Sequence, residues 1–433
     1  MAGLARRIVV WPVLVLVAAV APVELVAGKP TALDEYVSAA DDSYAWTMRE
    51  KRAGDLSLDL VSQTWHGIRW RHRLVIFTPP KITHSERVLL FITGGATGRE
   101  PPERDRRRFG QLARLCSARV AVLYQVPNQP LLGNRFEDDL ISETFLRHLK
   151  SGDPTWPLLF PMVKSAVRAM DAVQEVAKQK LGTEVTGFVV SGASKRGWTT
   201  WLTAAVDKRV TGLAPLVIDV LNFQVQMKHQ KQAWGKYSKQ IGDYTSKGLI
   251  GLLEKRPKLS LWSWVDPYAY RDRLSQPKLI VNGTNDPYWC IDALNNYWPA
   301  LLGEKHVLYI PNAGHGLDGG EAQLLATLAA FFRLGALQRP LPKMTWKYGR
   351  GKQQLSLEVT SDQAPLRAEL WTAHSKTRDF RKSKFTASEL RENKGVFSGD
   401  AVVPAEGHVV LYGHLTYQVG DLRYGLSTPV QVK

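Results

Sequence analysis

Residues 187–198, Gly-Phe-Val-Val-Ser-Gly-Ala-Ser-Lys-Arg-Gly-Trp, constrain this chain more than any other stretch. A short apolar run, Phe188 to Val190, stops at small residues. Ser194 follows, and then a segment able to start a helix. This is the pattern of a nucleophile elbow, in which a serine sits on a sharp turn from strand to helix. The turn lifts the hydroxyl out of the sheet and aims the next backbone N–H groups at a developing oxyanion. Gly192 permits the close backbone approach that such a turn needs. The usual order is G-x-S-x-G, but here Arg196 stands two after the serine and the glycine comes one later, at Gly197. The same residues also describe a plain Ser/Gly turn, so the remainder of the chain has to decide between the two.

That remainder alternates strands with helices. Residues 88–93 and 120–124 read as buried strands, the first ending in Gly94-Gly95-Ala96. Residues 161–180 have a helical apolar period, and 188–191 and 195–206 give the elbow's strand and helix. Further strands fall at 213–220, 278–282 and 306–310, with helical stretches at 291–302 and after Gly320. Near-continuous apolar strands separated by helices predict an α/β fold, a mostly parallel sheet covered by helices on both faces. An aromatic-rich segment before residue 75 reads as added strands. Residues 221–277 form an insertion rich in Lys, Gln, Trp and Tyr, placed to cap a site or to decorate the fold. Past Pro340-Leu341-Pro342 the pattern changes to short alternating strands, so 29–339 is expected to be one domain and 343–433 a β-sandwich-like domain.

A chain of 433 residues with 44% hydrophobic residues can bury a sizeable core. Arg6-Arg7, an apolar run over 8–20 and small residues at Ala27 and Gly28 predict a signal peptide over 1–28, and hence a secreted or periplasmic protein. An uncleaved anchor is the competing reading, although the run falls short of the ~20 residues of a comfortable membrane span. The net charge of +17 suits contact with anionic cell-surface material. It is scattered apart from residues 104–108 and carries no nucleic-acid motif, so no nucleic-acid partner is expected. Cys116 and Cys290 are either a pair or two buried thiols, and no zinc spacing or dinucleotide fingerprint is present. Neither a metal nor a cofactor is expected, and oligomeric state is not legible.

A serine nucleophile needs a base in hydrogen-bond reach and a group that orients the base. In an open parallel sheet these should lie at the carboxyl ends of strands. Asp286, in the loop after 278–282, is the candidate acid, and Pro287 beside it equally suits a helix cap. Asp219, at the end of 213–220, is the competing acid. His315, between glycines after 306–310, is the candidate base, ahead of His306 and His229. The order Ser194, Asp286, His315 is that of α/β-hydrolases. The oxyanion donors would be the Lys195 N–H and the Gly95-Ala96 turn. The Lys195 and Arg196 side chains either add positive potential near the substrate or lie on the outer face of the helix.

These residues resemble the PhoPQ-activated pathogenicity-related protein family. The resemblance is carried by residues 33–37, 125–131, 153–156, 162–171, 192–201, 282–286 and 312–315, across most of 30–335. It implies an α/β-hydrolase-like core in an exported protein, and a shifted glycine after the serine as a family trait. It brings no defined substrate. Two functions follow: an exported serine hydrolase cleaving an ester or amide of a small molecule or peptide, or a non-catalytic secreted interaction or virulence-related factor on the same fold.

Overall fold

A computed structural model describes residues 30–52 and 54–433, with residues 50–52 as backbone only. The segment read as a signal peptide, 1–28, lies outside the described residues. Thr31 caps helix α1 (Ala32–Ser38) with a reciprocal Thr31–Asp34 capping box. Three antiparallel strands follow, β1 (Ala45–Arg52), β2 (Asp55–Trp65) and β3 (Ile68–Phe77). Leu56, Leu58 and Leu60 alternate inward along β2.

The strand–helix alternation then begins with β4 (Arg87–Ile92), α2 (Glu103–Cys116), β5 (Arg119–Leu123), α3 (Glu137–Ser151) and α4 (Leu159–Leu181). It continues with β6 (Gly187–Ala193), α5 (Lys195–Val206) and β7 (Val210–Leu216). The insertion folds as α6 (Phe223–Trp234), α7 (Gly242–Ser246), α8 (Leu249–Lys255) and α9 (Ser260–Val265), before β8 (Lys278–Gly283), β9 (Lys305–Ile310) and α10 (Glu321–Ala336). The sheet runs β1-β2-β3-β5-β4-β6-β7-β8-β9. Neighbours from β5 to β9 are parallel, and β3 joins β5 antiparallel. Successive strand residues face opposite layers. Leu90 and Val190 pack with Met162 and Trp201 of α4 and α5, while Leu89 and Val189 pack with Leu112 and Phe331 of α2 and α10. Helices on both faces make this the expected α/β-hydrolase arrangement. The strand order reverses at β4, with β5 on one side and β6 on the other. Such a switch point opens a crevice beyond the strand ends, and the turns after β4 and β6 meet there.

One expectation is corrected. Residues 291–302 form only short 3-10 turns, Ala293–Asn296 and Trp298–Ala300. Pro299, which has no N–H, stands within the second of them. Cys116 and Cys290 are each buried and unbonded. The basic run at 104–108 lies on α2, where Arg106 meets Asp55 at 3.3 Å and Arg108 meets Glu321 at 2.8 Å. No described helix is long and apolar enough to cross a membrane.

The C-terminal strands are β10 (Met344–Arg350), β11 (Gln354–Ser361), β12 (Arg367–Ser375), β13 (Thr386–Glu389), β14 (Arg391–Asn393), β15 (Val396–Val402), β16 (His408–Val419), β17 (Leu422–Ser427) and β18 (Gln431–Val432). They form two antiparallel layers, as expected of 343–433. One layer, β10-β11-β15-β14, is a sheet of its own. The other, β17-β16-β12-β13, continues the main sheet through Ser427 opposite Val307 on β9. The Tyr309 N–H also donates to the Ser427 hydroxyl at 3.1 Å. At Gly413 a Cβ would lie 2.9 Å from a terminal methyl of Leu357 in the facing layer, so glycine lets the layers close without displacing that side chain. Residues 31–433 therefore make one compact unit rather than two. The reason is that β9 would otherwise be an open edge.

A chain stopped after Pro342 should expose the β9 edge and the apolar face of α10, and should fail to melt cooperatively. A soluble truncated chain with a sharp calorimetric transition would show instead that 343–433 is a separate module.

Candidate active site

Ser194 occupies the turn between β6 and α5 with φ 58° and ψ −124°. A non-glycine residue held at positive φ stores about 1–3 kcal/mol of strain. The surrounding contacts hold it there. The Ser194 N–H donates to the Leu216 carbonyl, and the Trp198 N–H to the Ser194 carbonyl, both at 2.9 Å. A Cβ on Gly197 would lie 2.8 Å from the Gly192 carbonyl oxygen and 3.0 Å from that of Leu216. One on Gly192 would lie 2.7 Å from the Arg196 carbonyl oxygen. Strand end and helix start thus touch backbone to backbone, and Gly197 takes the packing role that the shifted motif left open.

His315 follows β9 and Asp286 follows β8. His315 Nε2 lies 2.9 Å from Ser194 Oγ, and Nδ1 lies 2.8 Å from Asp286 Oδ2. With the Nδ1 proton directed to the carboxylate, Nε2 is the acceptor for the serine hydroxyl. The other Asp286 oxygen accepts the Tyr288 N–H at 2.8 Å. Residues 287–289 form a bend and not a helix, so this bond steadies the loop, and the helix-cap reading of Asp286 falls away. The Tyr288 ring lies over the imidazole at 4.2 Å between centroids.

The competing residues are placed elsewhere. Asp219 accepts the Tyr297 hydroxyl, His306 meets Glu304 at 2.9 Å and His229 meets Asp292 at 3.0 Å. Burial pushes the Asp219 carboxyl up to about 7, against the Tyr297 hydrogen bond and with help from the Asp286 charge. His229, Cys290 and Asp292 form a compact group of ligating types. The Asp292 carboxylate is already engaged within the protein, by His229 and by Arg378 at 2.8 Å.

The candidate oxyanion donors are the Lys195 N–H at the start of α5 and the Gly95-Ala96 turn after β4. None of these three N–H groups meets a protein acceptor among the described residues. Gly95 sits at φ 120°, a conformation that favours glycine.

The Lys195 and Arg196 side chains do not lie on the outer face of the helix, and Lys195 lines the crevice beside Ser194. They are buried and turned onto the first turn of α3. Arg196 grips both oxygens of Glu137 at 2.7 Å and donates to the Val126 carbonyl at 2.5 Å. Lys195 Nζ lies 3.0 Å from Asp138 and 3.3 Å from Glu137. Burial alone would raise the Glu137 carboxyl, yet Arg196 and Lys195 outweigh it and hold it down at about 2. The guanidinium lies so close to Gly94 that a Cβ there would sit 2.5 Å from Nη2. This pairing ties the elbow to α3 and to the turn after β4.

Two anchoring residues escaped the sequence reading. Asn285, beside Asp286, donates to the Ser383 carbonyl at 2.7 Å. Asn312, before His315, donates to the Phe385 carbonyl at 3.0 Å and accepts the Phe385 N–H at 2.7 Å. The loop between β12 and β13 therefore braces both the acid loop and the base loop. Beside Ser194 and His315, under helices α6 to α9, lies a cavity of about 70 Å³ walled by Trp198, Phe223, Met227, Leu253 and Trp262.

Residues 33–381 match the family described as PhoPQ-activated pathogenicity-related protein. The autocrine proliferation repressor protein A of Dictyostelium discoideum is 34% identical over 378 residues, 81% of this chain and 76% of that protein. Among solved structures, a glucuronoyl esterase from Solibacter usitatus is similar with TM-score 0.46 and 11% identity, over 70% of this chain and 91% of that one. Acetyl xylan esterase 1 from Thermoanaerobacterium sp. is similar with TM-score 0.44 and 14% identity, over 70% and 91% of the two chains.

The Asp219 carboxyl is raised on folding from 3.8 to about 7. The stability tied to its protonated form is complete below the unfolded value and is lost as pH climbs to the folded one. Asp219→Asn keeps an acceptor for Tyr297 and removes that loss. Its melting temperature relative to the native chain should therefore rise from about pH 4 to about pH 7. A difference that is flat across this range would refute the assignment.

Proposed function

The chain belongs to the PhoPQ-activated pathogenicity-related protein family, and on that premise we propose that it is a serine hydrolase acting on an ester or amide bond. One observation carries the reading: the unbroken relay from Ser194 Oγ through His315 to Asp286, at 2.9 and 2.8 Å, on a strained elbow. Serine attack needs that relay, and a plain loop turn has no use for it.

In the proposed reaction His315 Nε2 takes the Ser194 proton as Oγ bonds to the substrate carbonyl carbon. The resulting oxyanion is held by the Lys195 N–H and by the Gly95-Ala96 turn. The imidazolium, steadied by Asp286, gives its proton to the leaving oxygen or nitrogen as that bond breaks. An acyl-enzyme remains. Water then repeats the sequence: it loses a proton to His315, bonds to the carbonyl carbon and releases Ser194. Neither a metal nor an organic cofactor enters any of these steps. Arg6-Arg7 and the apolar run over 8–20 support placing this activity in the periplasm or outside the cell.

A second reading has a specific support. The Dictyostelium relative is named as an autocrine proliferation repressor, which fits a secreted signalling factor that binds rather than cleaves.

The two readings part on a fluorophosphonate probe. A hydrolase should label at Ser194, and Ser194→Ala should not label. Equal labelling of both proteins, or of neither, would remove the hydrolase. Asp286→Asn should lower kcat by about 10⁴-fold, the cost of the wrong imidazole tautomer in the template triad. Asp219→Asn should keep its turnover. The reverse pattern would reassign the acid.

A further inference from the structure

The insertion at 221–277 turns the crevice beside Ser194 into a roofed slot. Its walls are Trp198 from α5, Phe223 and Met227 from α6, Leu253 from α8 and Trp262 from α9. We propose that this slot is the acyl pocket, and that the substrates are esters or amides of short, uncharged, apolar carboxylic acids. The proposal rests on the serine hydrolase reading and adds to it which part of the substrate is selected, and for what.

The chemistry of the walls selects against charge. Two of the lining indoles are engaged away from the slot: the Trp198 N–H donates to the Val265 carbonyl at 2.5 Å, and that of Trp262 to the Arg256 carbonyl at 3.1 Å, while the buried Trp289 N–H has no protein acceptor and is a neutral donor only. The charged groups at the mouth are already matched. Lys195 pairs with Asp138 and Glu137, and the Tyr244 hydroxyl donates to Asp138 at 2.9 Å. A carboxylate or ammonium on the acyl chain would lose its hydration and find no unpaired opposite charge there.

Size selects for few carbons. The cavity is about 70 Å³, against roughly 150 Å³ for a cavity that takes a benzene ring, which leaves room for about three carbon atoms. The walls do not yield easily. Trp198 is fixed by its hydrogen bond and meets Phe223 edge to face, at 5.4 Å and 87°.

The order of events assigns the slot to the acyl side. The leaving group must escape before water can attack, so it needs an open path. The acyl group stays bonded to Ser194 through both steps, and a roofed apolar slot can hold it throughout.

The test is kcat/KM of the full chain on p-nitrophenyl esters from acetate to decanoate, with a succinate monoester, and a parallel set of acetates in which only the alcohol varies. The expected optimum is propionate or butyrate. A fall of about tenfold or more should follow by octanoate, within the range a methylene commands in an apolar pocket. Met227→Trp, which fills the slot, should lower the butyrate-to-acetate ratio by about tenfold or more. Leu253→Ala, which enlarges it, should move the optimum to longer acids and serves where the bulkier variant does not fold. A profile indifferent to acyl length, a preference for the succinate ester, or selectivity that follows the alcohol would overturn the proposal while Ser194 still labels with the fluorophosphonate. Absence of labelling would instead remove the hydrolase reading itself.

Discussion

The backbone contact between Gly192 and Gly197 is the constraint on which the site depends. It brings the end of β6 and the start of α5 closer than any pair of side-chain-bearing residues allows. Only at that separation does the chain turn sharply enough to leave Ser194 at φ 58° with its hydroxyl beyond the sheet. The strain at the serine is balanced by the hydrogen bonds of its own N–H and carbonyl, to β7 and α5 respectively. A glycine one place later than usual does the same work, because what matters is which backbone atoms the helix start faces. Here Gly197 faces the Gly192 and Leu216 carbonyls.

The residue that displaced that glycine has acquired a second task. Arg196 could not remain a buried cation without a partner. Glu137 supplies a bidentate one, and the same arginine also takes the Val126 carbonyl. Through these bonds the elbow, the loop after β5 and the first turn of α3 become one polar cluster. Lys195 joins it through Asp138. A net charge of +17 therefore says little about the crevice, whose lining cation, Lys195, is internally matched.

The parts of this fold that are local in sequence were legible. The strands 88–93, 120–124 and 278–282, the helix 195–206 and the residues at strand exits all follow from apolar runs that end in small or polar residues. Ser194, Asp286 and His315 could be chosen because each stands just past such a run. What was illegible depends on distant partners. Glu137 reads as one acidic residue at a helix start, and its partner Arg196 lies 59 residues away. Asn285 reads as a turn residue, and its acceptor Ser383 lies 98 residues away. The composition shift after Pro342 signalled a change of strand pattern, but it could not signal that β17 would complete the edge left by β9. No local property distinguishes an edge strand that pairs across the molecule from one that starts a new domain.

The C-terminal strands then have a physical reason to be continuous with the core. Ser194 is fixed by its own helix and by the neighbouring β7, all within a short span of chain. Asp286 and His315 sit on loops that leave β8 and β9, the last two parallel strands, where nothing further along the parallel sheet supports them. The loop between β12 and β13 supplies that support through Asn285 and Asn312, and β17 anchors it by joining β9. The relay is thus held from two sides: the serine by the switch-point core, and its two partners by the C-terminal layer. An imidazole placed 2.9 Å from the serine requires both, because a small rotation of either loop would open the relay while leaving the elbow intact.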